Sequence, residues 1–526
     1  MRVLVSDPIA KNGLEYLQQH VDVDVKIGMK PEELLQLIPN YDALVVRSET
    51  KVTAQVIDAC ARLKAIGRAG VGVDNIDVPA ATRRGIVVVN APTGNNIAAA
   101  EHTVGMMLAS ARHIPQACAA VKAGLWQRSK YMGVELRNKL LGVIGLGKIG
   151  TEVAKRAQAF DMKVIAYDPY LSPEHAQRLG IESVTLEDVL RRADFFTFHV
   201  PLTPQTKGMI GMPQFRQMKR SARIVNCSRG GVVDEQALVE ALEQGLIAGA
   251  ALDVFTQEPL PAEHPLLGQE KLVVTPHLAG STVEAQEEVA IDVAEQIVAV
   301  LNGRPARYAV NAPAILPETM AVLEPYMELA RSLGSMATQL AEGQLCSVEV
   351  TYAGKLANLD TAPLKAMLIK GLLQPVLAED DINLVNASVI AKSRGLQVTE
   401  RKTEQVATYS NLITIEMDTA CSTRTVAGTI LLGEPHLVRV DEYWVDIALT
   451  QGQMVFGYYR DRPGMIGHFG SVLGSANVNI SFMAVSRRAP KGEALMVIGV
   501  DEPVSPDLVK RMLAAPDVHA IRTVVI

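Results

Sequence analysis

The ten residues LGVIGLGKIG at positions 141–150 constrain the fold more than any other stretch. Gly145, Gly147 and Gly150 stand at G-x-G-x-x-G spacing behind a short apolar run that reads as a buried parallel strand. A glycine triplet alone is a weak signal, so its flanks decide what it means. The next residues, TEVAKRAQAFD, put Val153, Ala154 and Ala157 on one helical face, and KVIAYD is a second apolar strand ending in Asp168. Strand, glycine turn, helix, strand and acid together predict a Rossmann-type unit. Gly145 permits the tight turn, Gly147 lets backbone approach a pyrophosphate, and Gly150 lets the helix sit close to the strand. The helix start turns its free N–H groups toward the phosphates. Asp168 would accept hydrogen bonds from the adenosine ribose and repel a further phosphate there. Pro169 and Tyr170 follow, with no arginine to welcome that phosphate, so the expected cofactor is NAD.

A strand–helix rhythm extends to both sides. RVLVSD, ALVVRS, LKAIGRAG and IVVVNAP read as buried strands of a first α/β unit. A long helix follows from NNIAAAEH onward, with a break expected before Pro115. DFFTFHV, ARIVNCS, GAALDV and LVVTPH continue the nucleotide unit, and TVEAQEEVAIDVAEQIVAVLNG is a second long helix. The two helices bracket the nucleotide unit and predict that the chain leaves its first domain and returns to it. The expected division is a discontinuous substrate domain of residues 1–97 and 283–314 around an NAD domain of residues 98–282. An α+β intervening region, 315–450, begins with a helix and the strand LCSVEVTYAG. Residues 451–526 show the order βαββαβ of a ferredoxin-like module.

Composition excludes several classes. A formal net charge of −6 and only 4% aromatic residues argue against a nucleic-acid surface. The five cysteines are far apart and odd in number, giving no disulfide framework and no metal-ligand spacing, so a reducing cytoplasm is expected and no metal. MRVLVSDPIA meets Asp7 before a signal-peptide core forms, and no apolar run reaches membrane-spanning length.

Three stretches close late strands of the nucleotide unit: NCSRGGVVDE, ALDVFTQEPL and VVTPHLAGS. Ligands of open parallel sheets bind at the carboxyl ends of strands, so Arg229, Glu258 and His277 are candidates for one active edge. Singly, each has a plain structural reading as a cap, a solvated turn or a backbone-bonded ring.

GLGKIG, NCSRGGVVDE, ALDVFTQEP and TPHLAGST, in this order, resemble the D-isomer-specific 2-hydroxyacid dehydrogenase family over roughly residues 1–315. The remainder is similar to the long-chain, phosphoglycerate-oxidising branch of that family, with YRDRPGMIGHFGSVLGSANVNI similar to the ACT signature. The resemblance implies a Rossmann-type NAD domain inserted in a flavodoxin-like α/β substrate domain, then the intervening α+β domain and a ferredoxin-like ACT domain. It implies that Arg229 holds the substrate carboxylate, that His277 exchanges the hydroxyl proton, and that Glu258 orients the imidazole. It gives Asp253 to the nicotinamide carboxamide. Val71, Lys148, Ile149, Val200, Cys227, Ser228, Ala279 and Gly280 would line the cofactor by backbone or packing, Val71 and Val200 standing where some relatives carry threonine. The implied substrate is 3-phosphoglycerate, its phosphate met by Arg47 and Arg68, with Lys130 reaching from a neighbouring subunit and Asn95 touching substrate or bracing a turn. An ACT tail implies an amino-acid effector, for which L-serine, Tyr459, Asp461 and Asn479 are the candidates, in a homodimer or tetramer. Two other readings stand beside this one: a family member acting on glycerate or hydroxypyruvate, and an NAD-sensing regulatory scaffold.

Overall fold

The structure, a computed structural model, describes residues 1–313, 317–376, 382–406, 408–449 and 452–526. The expected boundaries near 315 and 450 lie outside the described residues. The first unit is a five-stranded parallel sheet of β1 (Arg2–Val5), β2 (Asp22–Val25), β3 (Ala43–Val46), β4 (Ala65–Arg68) and β5 (Val87–Asn90). Its order, β2-β1-β3-β4-β5, is the flavodoxin-like one. Strands β1, β3 and β4 are almost wholly buried, as their continuous apolar sequences require. β2 was not among the expected strands, because its DVDV sequence alternates acid and valine and lies half-exposed at the sheet edge.

The second sheet contains β6 (Leu140–Ile144), β7 (Lys163–Tyr167), β8 (Glu182–Ser183), β9 (Phe195–Phe198), β10 (Arg223–Asn226), β11 (Gly249–Leu252) and β12 (Leu272–Val274). All seven run parallel in the order β12-β11-β10-β9-β6-β7-β8, a doubly wound Rossmann sheet. The chain enters through helix Asn96–Arg112, which stops at His113 in a left-handed conformation (φ 52°). Helix Ile114–Lys122 then starts with Pro115 in its first turn, where proline is tolerated. Helix Val283–Leu301 carries the chain back onto the first sheet. A Cβ at Gly67 of β4 would lie 2.6 Å from Val293, and one at Gly13 would lie 2.6 Å from the Ala290 carbonyl. Val289, Val293 and Ile297 share one core with Val3, Val5 and Val45.

Beyond residue 317 the architecture changes. β13 (Leu345–Gly354), β14 (Gln397–Thr403), β15 (Asn411–Thr419), β16 (Thr423–Leu431), β17 (Glu434–Val440) and β18 (Tyr443–Ala448) form a mixed sheet ordered β14-β13-β15-β16-β17-β18. Helices Pro317–Leu340 and Ala362–Leu373 cross at two glycines: a Cβ on Gly371 would sit 2.0 Å from the Arg331 carbonyl, and one on Gly334 would sit 2.4 Å from the Leu368 carbonyl. The last unit has β19 (Gln453–Arg460), β20 (Ile480–Arg487), β21 (Glu493–Val500) and β22 (Val518–Val525), ordered β20-β21-β19-β22, with helices Met465–Ser475 and Pro506–Leu513. This is the ferredoxin-like βαββαβ arrangement. One face of the sheet packs on its two helices through Val455, Phe469 and Met512. Met454, Phe456, Leu495, Val497 and Val524 belong instead to the same core as Leu333, Met336 and Leu340 of helix Pro317–Leu340. The Gln339 amide pairs with both backbone groups of Val525, at 2.9 Å each. No helix among the described residues is long and apolar enough to cross a membrane.

Candidate active site

The glycine turn has the geometry its sequence predicts. Gly145 has φ +91°, and a Cβ there would lie 2.5 Å from the His199 carbonyl. A Cβ on Gly150 would lie 2.2 Å from the Gly145 carbonyl, whereas the space over Gly147 is open to 4 Å. The helix begun by Lys148 and Ile149 buries Val153, Ala154 and Ala157, as expected. Asp168 follows β7, and its two oxygens accept the Leu146 and Tyr170 N–H groups at 2.9 Å each. A carboxylate has about four acceptor positions, so two remain for a ligand. Gly145, the open Gly147, the free helix start and Asp168 thus fit a dinucleotide. Val200 packs against Gly145. The Cys227 thiol is pushed up to about 12 by burial and then by Asp253, so Cys227 is a packing residue and not a thiolate.

Arg229 is placed by the turn after β10. Asn226 accepts the Ser228 N–H at 3.0 Å and hydroxyl at 2.8 Å, and its amide donates to the Arg229 carbonyl at 2.9 Å. Gly230 is required next, since a Cβ there would sit 1.9 Å from the Phe255 carbonyl. The Arg229 guanidinium donates to Asp74 at 2.9 Å and to the Ser228 carbonyl at 2.7 Å. A Cβ on Gly72, one residue past Val71, would meet Arg229 Nη2 at 2.0 Å. Asp74 and Asn226 were missed from sequence, because a carboxylate in a loop and an asparagine at a strand end carry no motif.

His277 and Glu258 meet as the sequence reading requires. His277 Nδ1 is 2.7 Å from Glu258 Oε2, and Glu258 Oε1 accepts the Phe255 N–H at 3.0 Å. Burial pushes the Glu258 carboxyl up, but the His277 ring and the Phe255 N–H outweigh it and hold the group below the usual carboxylate range. His277 has φ 54°, uncommon for a residue with a side chain.

A cavity of about 740 Å³ is lined by Arg47, Arg68, Asn95, Glu258, His277 and Gly280. Its size is that of a small-molecule site. Arg68 is largely buried, its Nε without a partner, and it is pushed down to about 10 by burial and then by the positive Arg229 and Arg47. Asn95 packs on Gly280, and its Oδ1 is likewise buried without a partner. Arg68 and Asn95 thus line the cavity while each keeps one buried polar atom that the protein leaves without a partner. Arg229 does not line it but lies close enough for its charge to act on Arg68. Lys130 is also outside, 3.8 Å from Glu270 on an exposed turn.

Asp253 is wholly buried and accepts from His102, Thr275, Leu278 and Ala279. His102, Cys227 and Asp253 lie close enough to offer a metal three ligands, yet both Asp253 oxygens are already committed to these donors. In the C-terminal unit, Tyr459 is 1% exposed and stacks edge-on to Phe469, so the structure places it in the core and not on a ligand surface. Asp461 accepts from Arg487 at 2.7 Å, and Asn479 donates to Asp501 at 2.6 Å. The strand register puts these two residues at opposite ends of β21, so one chain does not bring them together.

Comparison with known proteins agrees with this architecture. The model of the D-isomer specific 2-hydroxyacid dehydrogenase NAD binding domain matches residues 104–279. The D-3-phosphoglycerate dehydrogenase intervening domain matches 322–441 and the ACT domain 455–517. A D-3-phosphoglycerate dehydrogenase of Synechocystis is 47% identical over 99% of this chain and 94% of its own. The chain belongs to the D-3-phosphoglycerate dehydrogenase family. The family member of Archaeoglobus fulgidus is 45% identical over 97% of both chains. Among solved structures, the TT0316 protein of Thermus thermophilus matches 59% of this chain and all of its own, at 36% identity and TM-score 0.56. The NAD-dependent formate dehydrogenase of Staphylococcus aureus, solved with NAD, matches 58% of this chain and 97% of its own at 29% identity and TM-score 0.54. These shorter structures cover little more than half of the chain.

Proposed function

We propose that the chain catalyses NAD-dependent oxidation of 3-phospho-D-glycerate to 3-phosphooxypyruvate, the first step of L-serine biosynthesis. The observation that carries this reading is the cavity in which the Glu258–His277 pair faces Arg47 and the unpaired Arg68. One end suits a phosphate and the other a hydroxyl that must lose a proton. NAD, when bound, supplies the hydride acceptor. Its adenosine and phosphates would be held by Asp168 and the turn Gly145–Gly150, and its nicotinamide end by Val71, Val200, Cys227, Ser228, Asp253, Ala279 and Gly280. Glu258 occupies Nδ1 of His277, which leaves Nε2 to take the substrate hydroxyl proton. Arg229 would hold the carboxylate and polarise the neighbouring carbon, and Asn95 would bond substrate inside the cavity. Residues 1–97 and 283–314 form the substrate domain in this reading, and 98–282 the NAD domain.

Turnover with NAD and 3-phosphoglycerate, set against D-glycerate and D-lactate, tests the proposal. A high kcat/KM only for the phosphorylated acid supports it. Equal turnover of glycerate would assign the chain to another substrate, and no turnover at all would leave a cofactor-sensing scaffold. Cofactor choice is separable. Asp168→Ala removes hydrogen bonds to a charged acceptor, so we expect a loss of about 1.5–3 kcal/mol with NAD, or roughly 10–100-fold in kcat/KM, and a narrower preference over NADP. An unchanged NAD to NADP ratio removes Asp168 from that role.

L-serine is the proposed effector. Asp461 and Asn479 sit just beyond opposite ends of the eight-residue strand β21, beside Gly492 and Asp501, roughly 30 Å apart at about 3.4 Å per residue. Two ACT modules paired antiparallel along the edge strand β20 would set Asp461 of one beside Asn479 of the other, giving an ammonium partner and an amide. An exposed apolar run on the NAD domain, including Val121, Leu125, Trp126 and Met132, supports association into dimers. Asn479→Ala should keep turnover and lose inhibition by millimolar serine. Inhibition that survives the change overturns the assignment.

A further inference from the structure

Arg47 stands on irregular backbone. It follows β3 directly, and residues 47–50 belong to no helix or strand. Two side chains from elsewhere hold this turn instead. Asp7, two residues past β1 and 1% exposed, takes its donors. Oδ2 accepts the Arg47 N–H at 2.6 Å and the Thr50 N–H at 3.1 Å, and Oδ1 accepts the Thr50 hydroxyl at 2.5 Å. Asn75 takes its acceptors: Nδ2 donates to the Arg47 and Thr50 carbonyls at 2.7 Å each. The seam continues in the backbone, where the Val52 N–H donates to the Asn75 carbonyl at 2.8 Å and the Asp77 N–H to the Val52 carbonyl at 2.9 Å. The segment so clamped lines the cavity with Arg47, Ser48, Glu49 and Lys51. The Arg47 guanidinium itself has a bond to the Pro8 carbonyl at 3.5 Å, the outer limit of one, which leaves the rest of its fork for a ligand.

The residue before Asn75 reaches the other sheet. Asp74 lies beyond β4 of the five-stranded sheet, and its Oδ2 accepts at 2.9 Å from Nε of Arg229, which lies beyond β10 of the seven-stranded sheet. Consecutive residues thus govern two cations, Asn75 through the backbone of Arg47 and Asp74 through the side chain of Arg229. Their Cα atoms stay about 3.8 Å apart whatever the loop does, because the peptide between them is planar. We infer that Asp74 and Asn75 are positioning residues that act together as a ruler: Asn75, with Asp7, sets Arg47, Asp74 sets Arg229, and the spacing between the two cations selects an acid with an anionic group at each end. This inference rests on the proposed substrate.

The test uses the full chain and the variants Asn75→Ala, Asn75→Asp and Asp74→Asn. Alanine removes both donors, and aspartate, of the same shape, sets a carboxylate against two carbonyls. Asn75→Ala is expected to raise KM for 3-phosphoglycerate by roughly 10–100-fold, the usual cost of losing a residue that orients a binding group. Asn75→Asp should do so at least as strongly, and in both the loss falls on KM more than on kcat. D-glycerate, followed by turnover or as a competitive inhibitor, carries no phosphate and should lose far less, so discrimination narrows. Asp74→Asn should weaken both acids by a similar factor, since both carry the carboxylate that Arg229 meets. In an Arg47→Ala background, Asn75→Ala should add little, because it acts through that side chain. If neither Asn75 variant folds, Thr50→Val, which removes only the hydroxyl bond to Asp7, carries the same comparison with a smaller shift. Equal losses for both acids in Asn75→Ala would show a merely structural role and overturn the inference. So would an unchanged KM, full additivity with Arg47→Ala, or an Asp74→Asn effect confined to the phosphorylated acid. A native chain with no preference for 3-phosphoglycerate, or an Arg47→Ala variant with native KM, would instead sink the substrate reading itself.

Discussion

Replacing His277 by alanine is expected to lower kcat by roughly 100–10,000-fold, the usual contribution of a positioned acid–base group, while calorimetric NAD affinity stays as it was. The cavity that His277 lines includes no residue of the glycine turn, so cofactor capture and proton transfer are expected to separate in this variant. Glu258→Gln should give a smaller loss, because the amide keeps a hydrogen bond to Nδ1 but carries no charge. Its pH behaviour follows from the native carboxyl. Burial raises Glu258, but the His277 ring and the Phe255 N–H hold it below its unfolded value. A depressed carboxyl contributes stability that is complete above the unfolded value and is lost as pH falls through the native one. Melting temperatures of the native chain and Glu258→Gln should therefore differ near neutrality and converge on acidification. A constant gap at every pH would mean that the carboxylate is not supported as described. Unimpaired turnover of His277→Ala would remove the histidine from the chemistry.

Arg229→Lys is expected to reduce kcat/KM for 3-phosphoglycerate by roughly 100–1,000-fold, the scale on which loss of an aligned charge stabiliser is felt. Charge is conserved in this change, but the planar fork is not. The guanidinium spends Nε on Asp74 and Nη1 on the Ser228 carbonyl and still has Nη2 to offer. An ammonium cannot hold these partners and a carboxylate at once. NAD binding should be unaffected, and a lysine variant with native kcat/KM would show that the fork is not the carboxylate clamp.

The parts of the fold legible in sequence were those with strong period or punctuation. The glycine turn, the four buried strands of the first sheet and the βαββαβ order are visible because each is a run of apolar residues bounded by turn formers. β2 and β8 were not visible: one is half-exposed and alternates charge, and the other has two residues. Most strands of the intervening sheet were legible only as an α+β region, since Thr, Glu and Lys populate their exposed faces. At the site, Glu258 and His277 meet at hydrogen-bond distance and share a cavity with Arg47 and Arg68, distant in sequence but joined by sheet topology. The residues that hold them were not legible. Asp74, His102, Asn226 and Thr275 act through hydrogen bonds formed only after three strand ends and a helix converge. The same limit explains Tyr459, whose aromatic ring next to a turn reads as a ligand surface but packs inward on Phe469.

The sheet of the C-terminal module spends both of its faces. Met454, Phe456, Leu495, Val497 and Val524 fill one continuous core with helix Pro317–Leu340, and Gln339 clasps the edge at Val525. The module is thus not a detachable cassette. A chain cut just ahead of it would strip the partner from the long helix and leave a greasy slab facing water, inviting aggregation. Grafting a different sensor onto this catalytic frame, or moving this sensor onto a short relative, calls for the transfer of residues 317–526 as one block, with the seam placed in the connection before that helix.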